Sequence, residues 1–358
     1  MIVECQSIIN WYEIFEGVTL SDGTPIQVEQ TVWDDLSLIS YHDCGVQATC
    51  ARASRPHKGT SQEIQRNFTV DFVLLRSVTR SIKGQDSRNK LFTLMHGNVP
   101  SVNSLMSAYV CLERATVFGA LKGIQQKLGN QKFPLISQTL YGEHRSMLIT
   151  PDFPLVAKVG AVHAGYGKMK CDTSRQFADF KSVVALHGDY VTAEPFIDWD
   201  YDMRIQKIGP NYRAFRRVSS NWKGNVGNES FVEDMDLTED YKQMVDECAK
   251  LFGGLEILGL DLVHCKDGKE YILELNDTAI GLVHKHTKED MGFMRDIVVT
   301  KMDSLFVKNV APVEQDNSTS LEEKVKILET QLRLEKEKFS NLQKTIEEAK
   351  EEGSCKPQ

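Results

Sequence analysis

The stretch Gly259-Leu-Asp-Leu-Val-His-Cys-Lys-Asp-Gly-Lys-Glu-Tyr-Ile-Leu-Glu-Leu-Asn276 decides the reading of this chain. Two apolar runs, residues 255–263 and 270–275, flank Asp267-Gly268, the strongest short-range signal for a two-residue hairpin turn. With a tight turn Lys266 faces Lys269, and counting outward sets Asp261 directly opposite Glu274. Side chains repeat every two residues along a strand, so Asn276 shares the face of Glu274. Two carboxylates opposed across a sheet cost stability. A divalent cation would remove that cost, and Asp261, Glu274 and Asn276 carry the oxygens that Mg²⁺ or Ca²⁺ prefers. A solvent-exposed hairpin fits the same residues equally well, so the hairpin is read together with the segments upstream.

There, Phe153-Pro-Leu-Val-Ala-Lys158-Val-Gly160-Ala-Val-His163-Ala-Gly165-Tyr166-Gly167-Lys168 reads as strand, glycine-rich loop, strand. Gly160, Gly165 and Gly167 let backbone N–H groups close around an anion. Lys158 and Lys168 flank the loop as a clamp for a polyphosphate, and His163 is the histidine to watch within it. The spacing is neither that of a P-loop nor GxGxxG. Next, Tyr190-Val-Thr-Ala-Glu194-Pro195-Phe196-Ile197-Asp198 is an apolar strand that breaks at a proline, so the chain is an edge or a linker there. Free backbone groups beside Glu194, Phe196 and Ile197 suit the edge and faces of an adenine. In Tyr201-Asp202-Met-Arg204-Ile-Gln206, alternation puts Asp202, Arg204 and Gln206 on one face, an acid for a ribose and a cation for phosphate. Each segment alone also reads as an ordinary surface strand.

The order of these parts resembles an ATP-grasp domain, in which two small α/β subdomains clamp ATP. Within that superfamily the stretches Asp71-Phe-Val-Leu-Leu-Arg76, Pro100-Ser-Val-Asn-Ser-Leu105, Lys132-Phe-Pro-Leu-Ile136, Ser182-Val-Val-Ala-Leu186 and Phe252-Gly-Gly-Leu255 resemble the central domain of synapsins. The resemblance runs from about Trp11 to about Met302. It implies that Lys158 and Lys168 contact ATP phosphates, that Glu194 and Ile197 read adenine, that Asp202 holds the ribose, and that Glu274 is the principal metal-binding acid. Arg114 stands where synapsins place an early lysine; it keeps the charge with a different donor geometry. Asp261 and Asn276 resemble the general ATP-grasp enzyme pattern more than the synapsin one. The phosphorylated head and proline-rich tail of typical synapsins are not expected here.

Length and charge set the outer limits. The 358 residues have room for about two to three domains. A hydrophobic share of 41% and a charged share of 26% suit a globular protein. The net charge of −8, without a basic stripe, argues against nucleic-acid binding. The eight cysteines lack CxxC spacing, so reduced cytosolic thiols are expected. Neither a signal peptide nor a transmembrane run is visible.

The expected fold is α/β. An amino-terminal α/β lobe of the pre-ATP-grasp kind spans residues 1–108, an ATP-grasp domain 109–305, a linker 306–320 and a coiled coil 321–350. Residues 240–252 read as a helix ending at Gly253-Gly254, and residues 51–66 as a basic loop. In the tail, Leu321, Val325, Leu328, Leu332, Phe339, Leu342, Ile346 and Ala349 fall on a 3–4 spacing with Glu335 as the one polar intruder, the pattern of a self-associating coil or of a single amphipathic helix. Arg216-Arg-Val-Ser219 has the form of a kinase site, though it falls beside a strand. The resemblance implies an ATP-binding, oligomeric, cytoplasmic protein of the presynaptic terminal, peripheral on synaptic vesicles, that regulates transmitter release. The alternative is an ATP-grasp ligase that activates a carboxylate as an acyl-phosphate for an amine or thiol.

Overall fold

In the computed structural model of the chain, Met1–Val307 form one compact unit. The structure describes residues 1–4, 9–50, 65–80, 86–148, 152–161, 166–218 and 231–307. The tail from 321 to 350, most of the basic loop, Ser219, His163 and Gly165 therefore lie outside the described residues.

The amino-terminal part carries β1 (Ile2–Glu4), α1 (Trp11–Ile14), β2 (Gln30–Thr31), β3 (Leu36–Tyr41), β4 (Gly45–Cys50), β5 (Arg66–Thr69), β6 (Leu74–Arg76), α2 (Arg88–His96) and α3 (Leu105–Val110). A parallel sheet runs β2-β1-β6 and an antiparallel one β3-β4-β5. The first is buried on both faces, as its unbroken Ile-Val and Leu-Leu pairs require. Arg66, expected in a loop, lies on β5 and pairs with Glu29.

The remainder comprises α4 (Arg114–Leu128), β7 (Thr139–Tyr141), β8 (Leu155–Val159), β9 (Lys168–Cys171), α5 (Ser174–His187), β10 (Val191–Pro195), β11 (Trp199–Ile208), β12 (Asn211–Val218), β13 (Phe231–Met235), α6 (Glu239–Ala249), β14 (Ile257–Cys265), β15 (Glu270–Asn276) and α7 (Thr287–Phe306). One antiparallel sheet has the order β7-β10-β8-β9 and a second the order β13-β12-β11-β14-β15. In the first, α5 turns Phe177, Phe180 and Val184 onto Leu155, Ala157 and Val191. In the second, Leu121, Val245 and Cys248 from α4 and α6 meet Met203, Ile205, Leu260 and Ile272. Burying such side chains stabilises by about 1.5–3 kcal/mol each, and it leaves the opposite face of each sheet for the site.

Two local features position the site. The segment 134–136 adds to the edge of β15, with Ile136 N donating to Ile272 O at 3.0 Å and Ile272 N to Pro134 O at 2.8 Å. The same segment leads into β7, so a short crossing joins the two sheets and closes one end of the gap between them.

The second feature is the β14–β15 hairpin, which differs from the expected two-residue turn. Cys265 N bonds to Lys269 O at 2.8 Å, giving a three-residue Lys266-Asp267-Gly268 loop with Gly268 at φ 80°. That is the geometry of a type I turn closed by a left-handed glycine. The pairing then runs His264↔Glu270 and Leu262↔Ile272, and a bulge before Asp261↔Glu274 takes up one residue. The bulged residue is Leu273. Asp261 thus faces Glu274 as counted, but through two offsets that cancel. The expected helix at residues 240–252 is also shorter. It ends at Ala249, because Phe252 at φ 53° and Gly253 at φ 87° lie in the left-handed region.

Candidate functional site

Between the two sheets lies an open cleft of about 830 Å³, its solvent-filled mouth included. It is lined by Lys158 and Lys168 on one side and by Asp202, Asp261 and Glu274 on the other, with Glu194, Pro195, Phe196 and Ile197 at the hinge. Residues far apart in sequence thus converge. Arg114, at the start of α4, reaches Glu274 from a second cavity that adjoins the first.

Lys158 and Lys168 sit directly opposite each other on β8 and β9. Like charges so placed cost stability unless an anion lies between them. Lys158 is 6% exposed and ion-paired with Glu194, itself 4% exposed, at 2.5 Å. Gln138 also donates to Glu194, at 2.8 Å. Burial holds the Lys158 ammonium below its ordinary pKa and the Glu194 charge opposes that; neighbouring Lys168 and Arg114 push it further down. A phosphate group would add negative charge beside the Glu194 and Glu274 carboxylates that already face these cations.

Asp202 behaves in the opposite sense. Burial raises its pKa, with Asp261 and Glu274 adding to the effect against Arg217 and Lys168. A buried acid near other acids is well placed to accept from hydroxyl groups. Arg204 is not turned toward the lysine side: its guanidinium grips Asp261 at 2.6 and 2.8 Å. Asn276 donates to the same carboxylate at 2.9 Å.

The fit of a divalent cation follows from these contacts. Glu274, 36% exposed and 3.2 Å from Arg114, is open to the cleft. Asp261 already has both oxygens engaged. Among the described residues no three His, Cys, Asp or Glu side chains form a ready cation site. A cation at Glu274 would therefore draw its remaining ligands from a bound polyphosphate, as Mg²⁺ commonly does.

At the hinge, β10 pairs with β8 along its whole length, but its pairing with β7 stops at Ala193. Backbone groups beyond Ala193 are thus open on one side, in keeping with the expected break at Pro195. The Phe196 N–H is committed to Pro154 O at 2.9 Å. Gly167, at φ 63°, takes a left-handed turn where the loop re-enters β9.

Sequence reasoning passed over Ile136, Val156 and Leu273, which give the cleft its apolar walls, and Arg217 and Gln138, which meet its acids. Val156 was readable, two residues before Lys158 on the same strand face. Arg217 was readable too: the Gly209-Pro210 turn, with Gly209 at φ 56°, sets Asp202 opposite Arg217. Leu273 was not, because it faces the cleft only through the bulge.

Comparison with known proteins bears on this arrangement. Residues 1–101 match the model of the synapsin pre-ATP-grasp domain, and residues 103–304 that of the synapsin ATP-binding domain. The chain belongs to the synapsin family. A synapsin of Drosophila melanogaster is 36% identical over 302 residues, covering 83% of this chain and 29% of that protein. This synapsin-family chain thus spans under a third of its curated relative. Among solved structures, the ATP-grasp ligase PsnB in complex with a minimal precursor superposes with a TM-score of 0.54 at 15% identity, covering 84% of this chain and 98% of that one. The D-cycloserine synthetase DcsG gives 0.52 at 14%, over 65% and 84%. At such identities the likeness is one of fold: the synapsin-family chain has an ATP-grasp architecture. No helix among the described residues is long and apolar enough to cross a membrane.

Proposed function

We propose that this synapsin-family chain binds ATP in the cleft and uses it as a regulator of conformation and assembly on synaptic vesicles in the presynaptic cytoplasm. The observation that carries the nucleotide part is the placement of Lys158 opposite Lys168, facing Glu274 and Asp202 across an apolar-walled gap. In this reading the triphosphate lies among Lys158, Lys168 and Arg114, followed by the Gly165-Gly167 loop with His163. The adenine lies between Ile136, Val156 and Leu273, with its edge toward Glu194 and Ile197. The ribose hydroxyls meet Asp202. Glu274 holds Mg²⁺ or Ca²⁺ against the phosphates, with Asp261 and Asn276 beside it. The vesicle role and self-association rest on family membership and on the apolar seam of residues 321–349. Titration calorimetry of ATP, with Mg²⁺, with Ca²⁺ and with chelator, tests the nucleotide part. No heat under any of the three conditions overturns it.

A second reading, an ATP-grasp ligase, is favoured by one observation. A further cavity of about 880 Å³ shares Glu194, Leu273 and Glu274 with the cleft, and it is lined by Arg114, Ser77 and Thr278. An acceptor carboxylate could meet the γ-phosphate there. ADP release that depends on an added carboxylate would support this reading, and its absence across a panel would remove it.

A further inference from the structure

Asp261 and Arg204 stand directly opposite each other on β14 and β11, both buried. Arg204 Nε donates to Asp261 Oδ1 at 2.6 Å and Nη2 to Oδ2 at 2.8 Å, the two-pronged match of guanidinium and carboxylate. Asn276 Nδ2 adds a donor to Oδ2 at 2.9 Å, and Arg217 lies 3.7 Å from Oδ1. Room for the guanidinium comes from Gly259. A Cβ there would stand 3.2 Å from Arg204 Cδ and 3.4 Å from Nε. The pair is thus built in from both strands, with the bulky group on β11 and the missing side chain on β14.

A carboxylate held in this way is a poor ligand for a dication. Oδ2 already accepts two hydrogen bonds, and the lone pair left on Oδ1 lies 3.7 Å from Arg217, so an incoming ion meets both spent acceptor capacity and positive charge. The incoming ion would sit against a fixed guanidinium and have no share of an unneutralised carboxylate. Glu274 is also paired with an arginine, Arg114 at 3.2 Å, but its side chain is 36% exposed against 11% for Asp261, so an ion and its water can reach it.

We infer that Arg204 is a resident cation at Asp261, standing where a second divalent ion would otherwise bind. The nucleotide complex then takes one divalent ion, on Glu274, and Arg204 sets that number. The inference rests on the ATP-binding reading above. It makes Arg204 a specificity-determining residue for metal stoichiometry instead of a phosphate contact.

The test counts Mn²⁺ by electron paramagnetic resonance in the full chain saturated with a non-hydrolysable ATP analogue. The wild type should bind one ion per nucleotide and Glu274→Gln none. Asp261→Asn should keep one. Arg204→Met bares the Asp261 carboxylate and should bind two, and Arg204→Met/Asp261→Asn should return to one. A buried carboxylate left alone can unfold a protein. The double variant removes both charges, so it remains informative if Arg204→Met does not fold. Two ions on the wild type, a count lowered by Asp261→Asn, an unchanged count in folded Arg204→Met, or an ion lost from the double variant would each overturn the inference. If the wild type binds no analogue at all, with or without Mn²⁺, the ATP-binding reading itself fails, a distinct result.

Discussion

Replacing Lys158 by methionine removes the ammonium and keeps most of the apolar stem, and two separable losses should follow. The ammonium lies 2.5 Å from Glu194 with both side chains buried. Breaking such a pair strands a carboxylate, at a cost of about 3–5 kcal/mol. Gln138 still donates to Glu194 at 2.8 Å, which favours the lower end of that range. Against a domain stability of about 5–15 kcal/mol, the variant should fold with a clearly lowered urea midpoint. The second loss is a charge-assisted phosphate contact, about 1.5–3 kcal/mol. At about 1.4 kcal/mol per decade, that weakens ATP binding by roughly tenfold to a hundredfold. Lys158→Met/Glu194→Gln isolates the stability loss, with Glu194→Gln alone as its reference for ATP affinity because Glu194 also faces the adenine. It removes both charges, and the new amide still accepts from Gln138, so stability should largely return while ATP affinity should not. Calorimetry and urea unfolding on the same samples give both numbers. A folded Lys158→Met that binds ATP like the wild type, or a double variant that regains ATP affinity, would show the lysine to be structural only.

Further predictions follow from the same contacts. The folded-state pKa of Asp202 is raised by burial, so its ionisation opposes folding, and the cost grows as pH rises from the unfolded value through the folded one. Asp202→Asn should therefore be more stable than the wild type at neutral pH, with the gap closing toward about pH 3–4, as followed by urea midpoints, while ATP binds more weakly. Asn103 bonds both Ile257 backbone groups and Asp277, at 2.6–3.0 Å. Asn103→Ala strands those partners and should cost at least about 2 kcal/mol, whereas a change under half that would mean the loop relaxes around the gap. At Gly160, φ is 49° and a Cβ would meet Asp189 Oδ2 at 2.2 Å. Gly160→Ala should cost about 1–3 kcal/mol in strain, and an unshifted melting point would refute the close approach. A synthetic peptide of residues 321–349 should sediment as an oligomer, as a coiled-coil seam requires; a monomer at all concentrations refutes that pattern.

The residues that carry chemistry were more legible than the contacts between them. Lysines, hinge and acids could be placed on strands from alternation, glycines and one proline, because those signals are local. The pairing of β11 with β14 is not local: no turn joins them, so nothing in the sequence states that Arg204 meets Asp261. Arg204 was assigned to phosphate for want of that register. The Asp261–Glu274 pairing came out as counted only because the longer turn and the bulge at Leu273 offset each other. The same bulge hid Leu273, whose strand position by simple alternation points away from the cleft. Walls such as Ile136 and Val156 belong to sheets that meet only in the folded chain.

Hydrogen exchange of the full chain with and without ATP locates the nucleotide without a mutation. With ATP in the cleft, exchange should slow chiefly in β8, in residues 194–197 after the β10–β7 pairing ends, and in β15. Protection confined to other elements, or no change at saturating ATP, would contradict that placement of the nucleotide.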